Sequence, residues 1–456
     1  MGKATVRKLL AWTLIFTMLM GIMPITATGG DTSNSICGEN GCGNAEAPVY
    51  FNDTGQYNDC PDGGEAIESE ESDEGSGGFP NGGISNGDDP GDSYFYSLFS
   101  IPFTPFGEVS GNTYEWDDDA TGEDLTGVTE VIMKSGASGT LNLVEPTVTM
   151  AVYEGGIQGG SIIAGANVEE IIFTGEPGSG IEKLEYNGTG TLELNRKADG
   201  DGSGPGGFSL NTIEMKNESA GLVLRSYSGL EDHGYAMLYI GSITGDFAEL
   251  ECYTTGQGSL YIGAMGTDGG IRSGIVGAID TVKITGGSTN ISSPNNNPED
   301  TEPTKDVIPS VRKIEIDGGS LVVSGGNNNG EGPDSGSGIV LENGGEISIK
   351  NGGSLSASGS YGDYAGNPGG KALKTLGDAI INVDNGSITL KDNPNGGHAL
   401  YLGGAVKVEL KNKAGFVIDS YYDNSAITGE GSLEMSLSKN SMAKFIGNAE
   451  SEAIGK

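Results

Sequence analysis

Asp199-Gly-Asp201-Gly-Ser203-Gly204 places an oxygen-bearing side chain at every second residue, with glycine between them. Such alternation lets carboxylates converge on one hard cation while glycine permits the tight bend. Asp199, Asp201 and Ser203 are therefore candidate Ca2+ ligands. The twelfth position of the loop is Leu210 rather than a bidentate Glu, and a solvated turn stays open as the alternative. Tyr361 and Tyr364 share one short segment; Tyr421, Tyr422, Asp423 and Asn424 share another. Aromatic faces stack on sugar rings while Asp and Asn accept hydrogen bonds from hydroxyls, which makes these six candidate carbohydrate ligands. Packing of the tyrosines over a corner of the fold is the competing reading. Arg196 and Lys197 stand beside Asp199, where a polysaccharide lyase would need a proton acceptor next to metal-held carboxylates. No pair of facing carboxylates can be read from spacing, and no catalytic residue is assigned. His233 and His398 lie far apart with no cysteine near either, so no zinc pattern exists.

Composition narrows the field. Acidic residues outnumber basic ones 63 to 24, for a net charge of -39. A surface this negative repels nucleic acid and anionic membranes, so neither is expected as a partner. Lys3, Arg7 and Lys8 precede an apolar run from Leu9 to Met23, followed by Ile25-Thr26-Ala27. This reads as a signal peptide over residues 1–27, the run falling short of the ~20 residues that span a bilayer. The expected location is secreted or cell-surface, with no membrane span. Residues 28–93, including Glu65-Ala-Ile-Glu-Ser-Glu-Glu-Ser-Asp-Glu74, are too polar and acidic to bury a core and read as a disordered leader. Within it, Cys37 and Cys42 are spaced to close a small loop in an oxidising compartment, which leaves Cys60 odd. Tyr94, Phe95, Tyr96, Phe99, Phe103 and Phe106 then cluster in a region, 94–127, that reads as an N-terminal cap.

Residues 128–456 carry a repeat. Ala372-Leu373, Ala399-Leu400, Ala426-Ile427 and Ala453-Ile454 recur every 27 residues. That period is too short for a βαβ unit, and nothing inside it has helical spacing. An apolar column runs Leu184, Ile213, Leu250, Val282, Ile314, Ile347, Ile381, Val408 and Met435. A second follows two residues later, through Tyr186, Met215, Cys252, Ile284, Ile316, Ile349, Val383, Leu410 and Leu437. Polar residues between the two alternate outward, and Asn217, Thr254, Gly286, Gly318, Asn351, Asn385 and Asn412 mark a recurring corner where Asn side chains could bond to one another along the axis. The expected fold is all-β: a right-handed parallel β-helix of about nine to eleven coils, wound without hairpins, Cys252 being a buried free thiol. Residues 195–207, 293–309, 325–337, 359–370 and 391–397 read as loops stacked along one edge of the coil stack, the place to expect function. Ala453-Ile454 opens a further coil two residues before the sequence stops, which suggests a fragment of a longer gene product.

The segments 314–321, 347–355 and 381–388, Ile-Glu-Ile-Asp-Gly-Gly-Ser-Leu, Ile-Ser-Ile-Lys-Asn-Gly-Gly-Ser-Leu and Ile-Asn-Val-Asp-Asn-Gly-Ser-Ile, carry a resemblance. They resemble the Gly-rich right-handed β-helix surface proteins of Gram-positive bacteria and are similar to the carbohydrate-binding-domain proteins of that group, some of which bind calcium and acidic plant polysaccharides. The resemblance implies carbohydrate binding, with calcium as a candidate cofactor; the chain is expected to be a non-catalytic monomer whose partner is extracellular polysaccharide or a host or cell-wall glycan. A structural or adhesive stalk and a lyase acting on acidic glycans are the alternatives.

Overall fold

The structure is a computed structural model that describes residues 108–446, apart from 118, 153–155, 158, 176–178, 198–205, 228–235, 256–257, 264–273, 294–305, 327–335, 361–368, 393–396 and 421–425. Among the described residues every regular element is a strand. The strands are short and alternate buried with half-exposed positions, as in Ser320–Ser324 and Gly415–Asp419. Alternation buries one side of each strand, and a strand with one buried side needs a second sheet to cover it. The chain meets that need by winding. From the third coil to the twelfth each turn runs through a face A, a face B and a face C, then returns to face A one layer higher, where it pairs in parallel with its predecessor; the first two coils have strands on faces A and C only.

Face A stacks thirteen strands, from Thr113–Trp116 to Ser432–Leu437. Thirteen layers at about 4.8 Å give a stack of roughly 58 Å. Leu250, Val282, Ile314, Ile347, Ile381, Val408 and Met435 lie in direct register, as the sequence column requires. Leu184 and Ile213 do not belong to that column. They pair with each other and with Ile243 and Ile275 on face C, the face on which Leu373, Leu400 and Ile427 also lie in register. Face A reaches back from Leu250 through Leu222 to Leu192 instead. The two ladders, on different faces, share one local pattern: both alternate with period two and both end in Gly- or Asn-rich turns. Four further face A strands, Thr113–Trp116, Glu130–Met133, Thr147–Val152 and Glu170–Gly175, precede Leu192, so the coils number thirteen among the described residues rather than the nine to eleven expected.

The same slip misplaces one loop. Residues 198–205 leave face A and enter face B, whereas 294–305, 327–335, 361–368 and 393–396 leave face B for face C. The insertions therefore occupy two corners, changing over at about the seventh coil. From the eighth coil onward the turn from face A to face B is tight. Gly287, Gly318, Asn351, Asn385 and Asn412 take positive φ there, between 51° and 75°, while Thr254 and Gly286 are still in strand. The asparagines do not bond to one another. Asn351 Nδ2 donates to Asp317 Oδ1 and Asn412 Nδ2 to Asp384 Oδ1, each at 2.6 Å, because a carboxylate one coil away is the stronger acceptor.

One hairpin does occur: Glu108–Ser110 turns back antiparallel on Thr113–Trp116 at the edge of face A. At the other end the ladders open. Leu437 and Met442 are 49% and 53% exposed, since the strands of the last described coil pair on one side only.

Between the ends the core is continuous. Cys252 is fully buried and unbridged, as expected. Burial pushes its thiol up to about 12, so almost no thiolate exists at neutral pH. Maleimide at pH 8 is expected to leave Cys252 unlabelled in the folded chain and to label it in urea, read by peptide mass mapping. Equal labelling in both states would contradict the buried ladder.

Candidate ligand-binding face

The nine residues singled out from the sequence, Asp199, Asp201 and Ser203 for calcium and Tyr361, Tyr364, Tyr421, Tyr422, Asp423 and Asn424 for carbohydrate, lie outside the described residues. Their flanks are placed. Ser358, Lys391 and Asp419 are in register on face B, so Tyr361 and Tyr421 follow strands two coils apart at the same corner. Among the described residues no cluster of His, Cys, Asp or Glu could hold a metal ion, and no helix is long and apolar enough to cross a membrane. Arg196, a candidate base, points into the core and is 1% exposed. Its Nη1 donates to the carbonyls of Phe173 and Lys197, and Nη2 to that of Gly175, at 2.6 to 3.1 Å. A guanidinium spent on three carbonyls is a structural brace.

The outward sides of faces A and B differ in charge. Face A is dense with ions. Arg225 pairs with Glu193, Lys283 with Glu249 and Lys313 with Glu315; on face C, Lys183 and Lys216 interleave with Glu185 and Glu214. The hydrogen bond from Lys183, then that from Lys216, holds the Glu214 carboxyl below the usual range. Face B is neutral over four coils. Ser259–Ile262, Ser288–Ser292, Ser320–Ser324 and Ser354–Ser358 turn only Ser, Tyr, Asn and Val outward. Successive hydroxyls approach bonding distance, Ser354 Oγ donating to Ser320 Oγ at 3.0 Å. In a chain with 63 acids, a neutral strip of this length is a marked local departure.

An aromatic platform extends the strip toward the N-terminus. Tyr239 and Tyr261, in register on consecutive coils, stack with ring centroids 5.1 Å apart and planes 20° from parallel. Gly207 makes this possible: a Cβ there would come within 2.9 Å of the Tyr239 ring, so its absence lets the ring lie back along the sheet. The Tyr239 hydroxyl donates to Met237 Sδ at 2.9 Å, and partial burial raises its pKa, keeping the phenol neutral. On face A, Tyr253 lies over Gly286 in the same manner, but Arg225 covers its other side with the guanidinium 5.8 Å from the ring centroid. Only the face B pair is left uncovered by charge.

Spacing arguments passed over this pair because both tyrosines sit inside strands rather than loops. A signal was present all the same. Leu-Tyr-Ile-Gly occurs twice, at 238–241 and 260–263, with tyrosine at the outward position each time. No protein-family model, curated protein or solved structure matches the chain.

Proposed function

We propose that the protein is a secreted or cell-surface β-solenoid that binds extracellular, uncharged polysaccharide along face B without catalysing a reaction on it. The stacked Tyr239–Tyr261 platform, continuous with a neutral hydroxyl strip, carries this reading. Pyranose rings offer an apolar face to an aromatic ring and hydroxyls at the rim, a surface that pairs with tyrosine rings and with Ser and Asn side chains. Rows repeat about every 4.8 Å across coils and roughly 6.7 Å along a strand, which suits a ligand that is itself extended and regular. The signal-like segment 1–27 supports export, and the resemblance to carbohydrate-binding surface proteins points the same way by analogy. Calcium, if it takes part, would act at the corner loops rather than on this neutral strip.

The test is retention on insoluble neutral glycans together with a soluble glycan array, each with and without calcium. Wild type is expected to bind at least one neutral polymer. Y239A/Y261A should weaken that binding by roughly tenfold or more, since each aromatic–ligand contact contributes about 1 kcal/mol, with circular dichroism unchanged. Failure of wild type to bind any glycan in either condition would favour the structural stalk.

A further inference from the structure

The tight corner between face A and face B holds a second, chemically distinct feature. Over the tenth to thirteenth coils its residues line a surface depression of about 570 Å³, which includes Asn351, Asn385, Asn412 and Asn440 together with Lys350, Lys413 and Lys439. Asp384 is the only acid in the lining. The asparagines have φ of 51° to 70°, and register stacks Asn351, Asn385 and Asn412 on consecutive coils, with Asn440 following over Lys413.

Part of this lining is already committed. Asp317 accepts Asn351 Nδ2 at 2.6 Å and pairs with Lys350 at 3.2 Å, contacts that hold its carboxyl below the usual range, the asparagine bond contributing most. Asp384 accepts Asn412 Nδ2 at 2.6 Å. Among the described residues, neither the Lys413 and Lys439 ammonium groups nor the Asn385 and Asn440 amides meet a protein acceptor. On the preceding coils Lys183, Lys216, Lys283 and Lys313 each sit against a glutamate. Charge balance changes along the chain as well: residues 371–456 carry nine lysines against ten acids. The strong negative field is thus weakest where these donors gather.

We infer that this corner binds tetrahedral oxyanions, phosphate or sulfate groups borne on a polymer, through Lys413, Lys439, Asn385 and Asn440. The last arginine of the chain is Arg312, so the depression offers point-charge ammonium donors and no planar fork. Forked guanidinium matches a carboxylate; an ammonium serves a tetrahedral oxyanion equally well from any side. Stacked coils set the donors in a row at about 4.8 Å per layer, which favours a chain of anions over a single ion. This site is separate from the neutral face and does not depend on glycan binding there.

Polyphosphate, dextran sulfate and polygalacturonate serve as probes of the full chain, measured at about 50 mM and about 200 mM salt, where polyelectrolyte contacts differ most. The phosphate and sulfate arms separate the two sources of tetrahedral oxyanion. At least one is expected to bind more tightly than polygalacturonate. K413Q/K439Q should weaken that binding by roughly tenfold or more and flatten its salt dependence by about two ionic contacts. K374Q/K407Q removes the same charge outside the depression and should change affinity by no more than about twofold. Y239A/Y261A should leave the anion affinity unchanged. The inference falls if no tetrahedral polyanion binds, if polygalacturonate binds as tightly, or if K374Q/K407Q loses as much as K413Q/K439Q.

Discussion

Replacement of Arg196 by alanine is expected to destabilise the fifth coil by about 4 kcal/mol, combining lost charge-assisted hydrogen bonds to buried carbonyls with the cavity left by a large buried side chain. Arg196 is 1% exposed in a column otherwise occupied by Met150 and Phe173 below it and Ser226 above. Its guanidinium satisfies the carbonyls of Phe173, Gly175 and Lys197. Alanine would leave those carbonyls without their donor and open a cavity above Phe173, whose ring stacks on that of Phe208 with centroids 4.4 Å apart. R196M separates the two effects, since it restores volume and not donors, and it should fall between alanine and wild type. Coils interact only with their neighbours, so the loss should be local. Amide exchange would accelerate over residues 171–197 and 206–227 while the coils after Ile339 stay protected. A cost below about 1 kcal/mol would show the arginine to be replaceable by water.

Gly160→Ala is expected to cost about 3 kcal/mol, at the upper end of overpacking effects. A Cβ at Gly160 would sit 2.2 Å from Trp116 Cη2 and 2.3 Å from Cζ2. Trp116 is fully buried and donates from Nε1 to the Ser138 carbonyl at 2.8 Å. One ring thus links the first coil to the second and packs against the third, with no room to withdraw. With Trp12 replaced by Phe, Trp116 is the sole tryptophan, so its emission should shift red in G160A at lower urea than in wild type. Gly159→Ala is the control: nothing lies within 4 Å of its Cβ position, and it should unfold as wild type does. Coincident transitions for both variants would mean that the Trp116 pocket is looser than these distances require.

The winding of the chain was legible because it depends on local chemistry that repeats. Ile314, Ile347, Ile381 and Val408 recur with a polar residue after each, and only a strand with one buried side uses that pattern. Asn351, Asn385 and Asn412 marked the corner because few other residues enter a left-handed turn cheaply. Legibility ended where the period did. Between Ile213 and Leu250 the spacing widens to 37 residues, and alternation alone does not reveal which of three faces a strand occupies. Leu184 and Ile213 were therefore assigned to face A when hydrogen-bond register puts them on face C.

Side-chain direction, acidity and the ladder residues are properties of short segments, so the amino-acid order alone determined the parallel coil, the buried Cys252 and the tight Asn corner. Position around the coil is a property of how far each loop carries the chain before it rejoins the stack, and loop length does not encode direction. Only the folded stack could bring Tyr239 onto Tyr261, gather the neutral strands on one face, turn Arg196 inward and set Lys413 beside Lys439. Each of these pairs residues from different coils, and it is the register between coils that makes them neighbours.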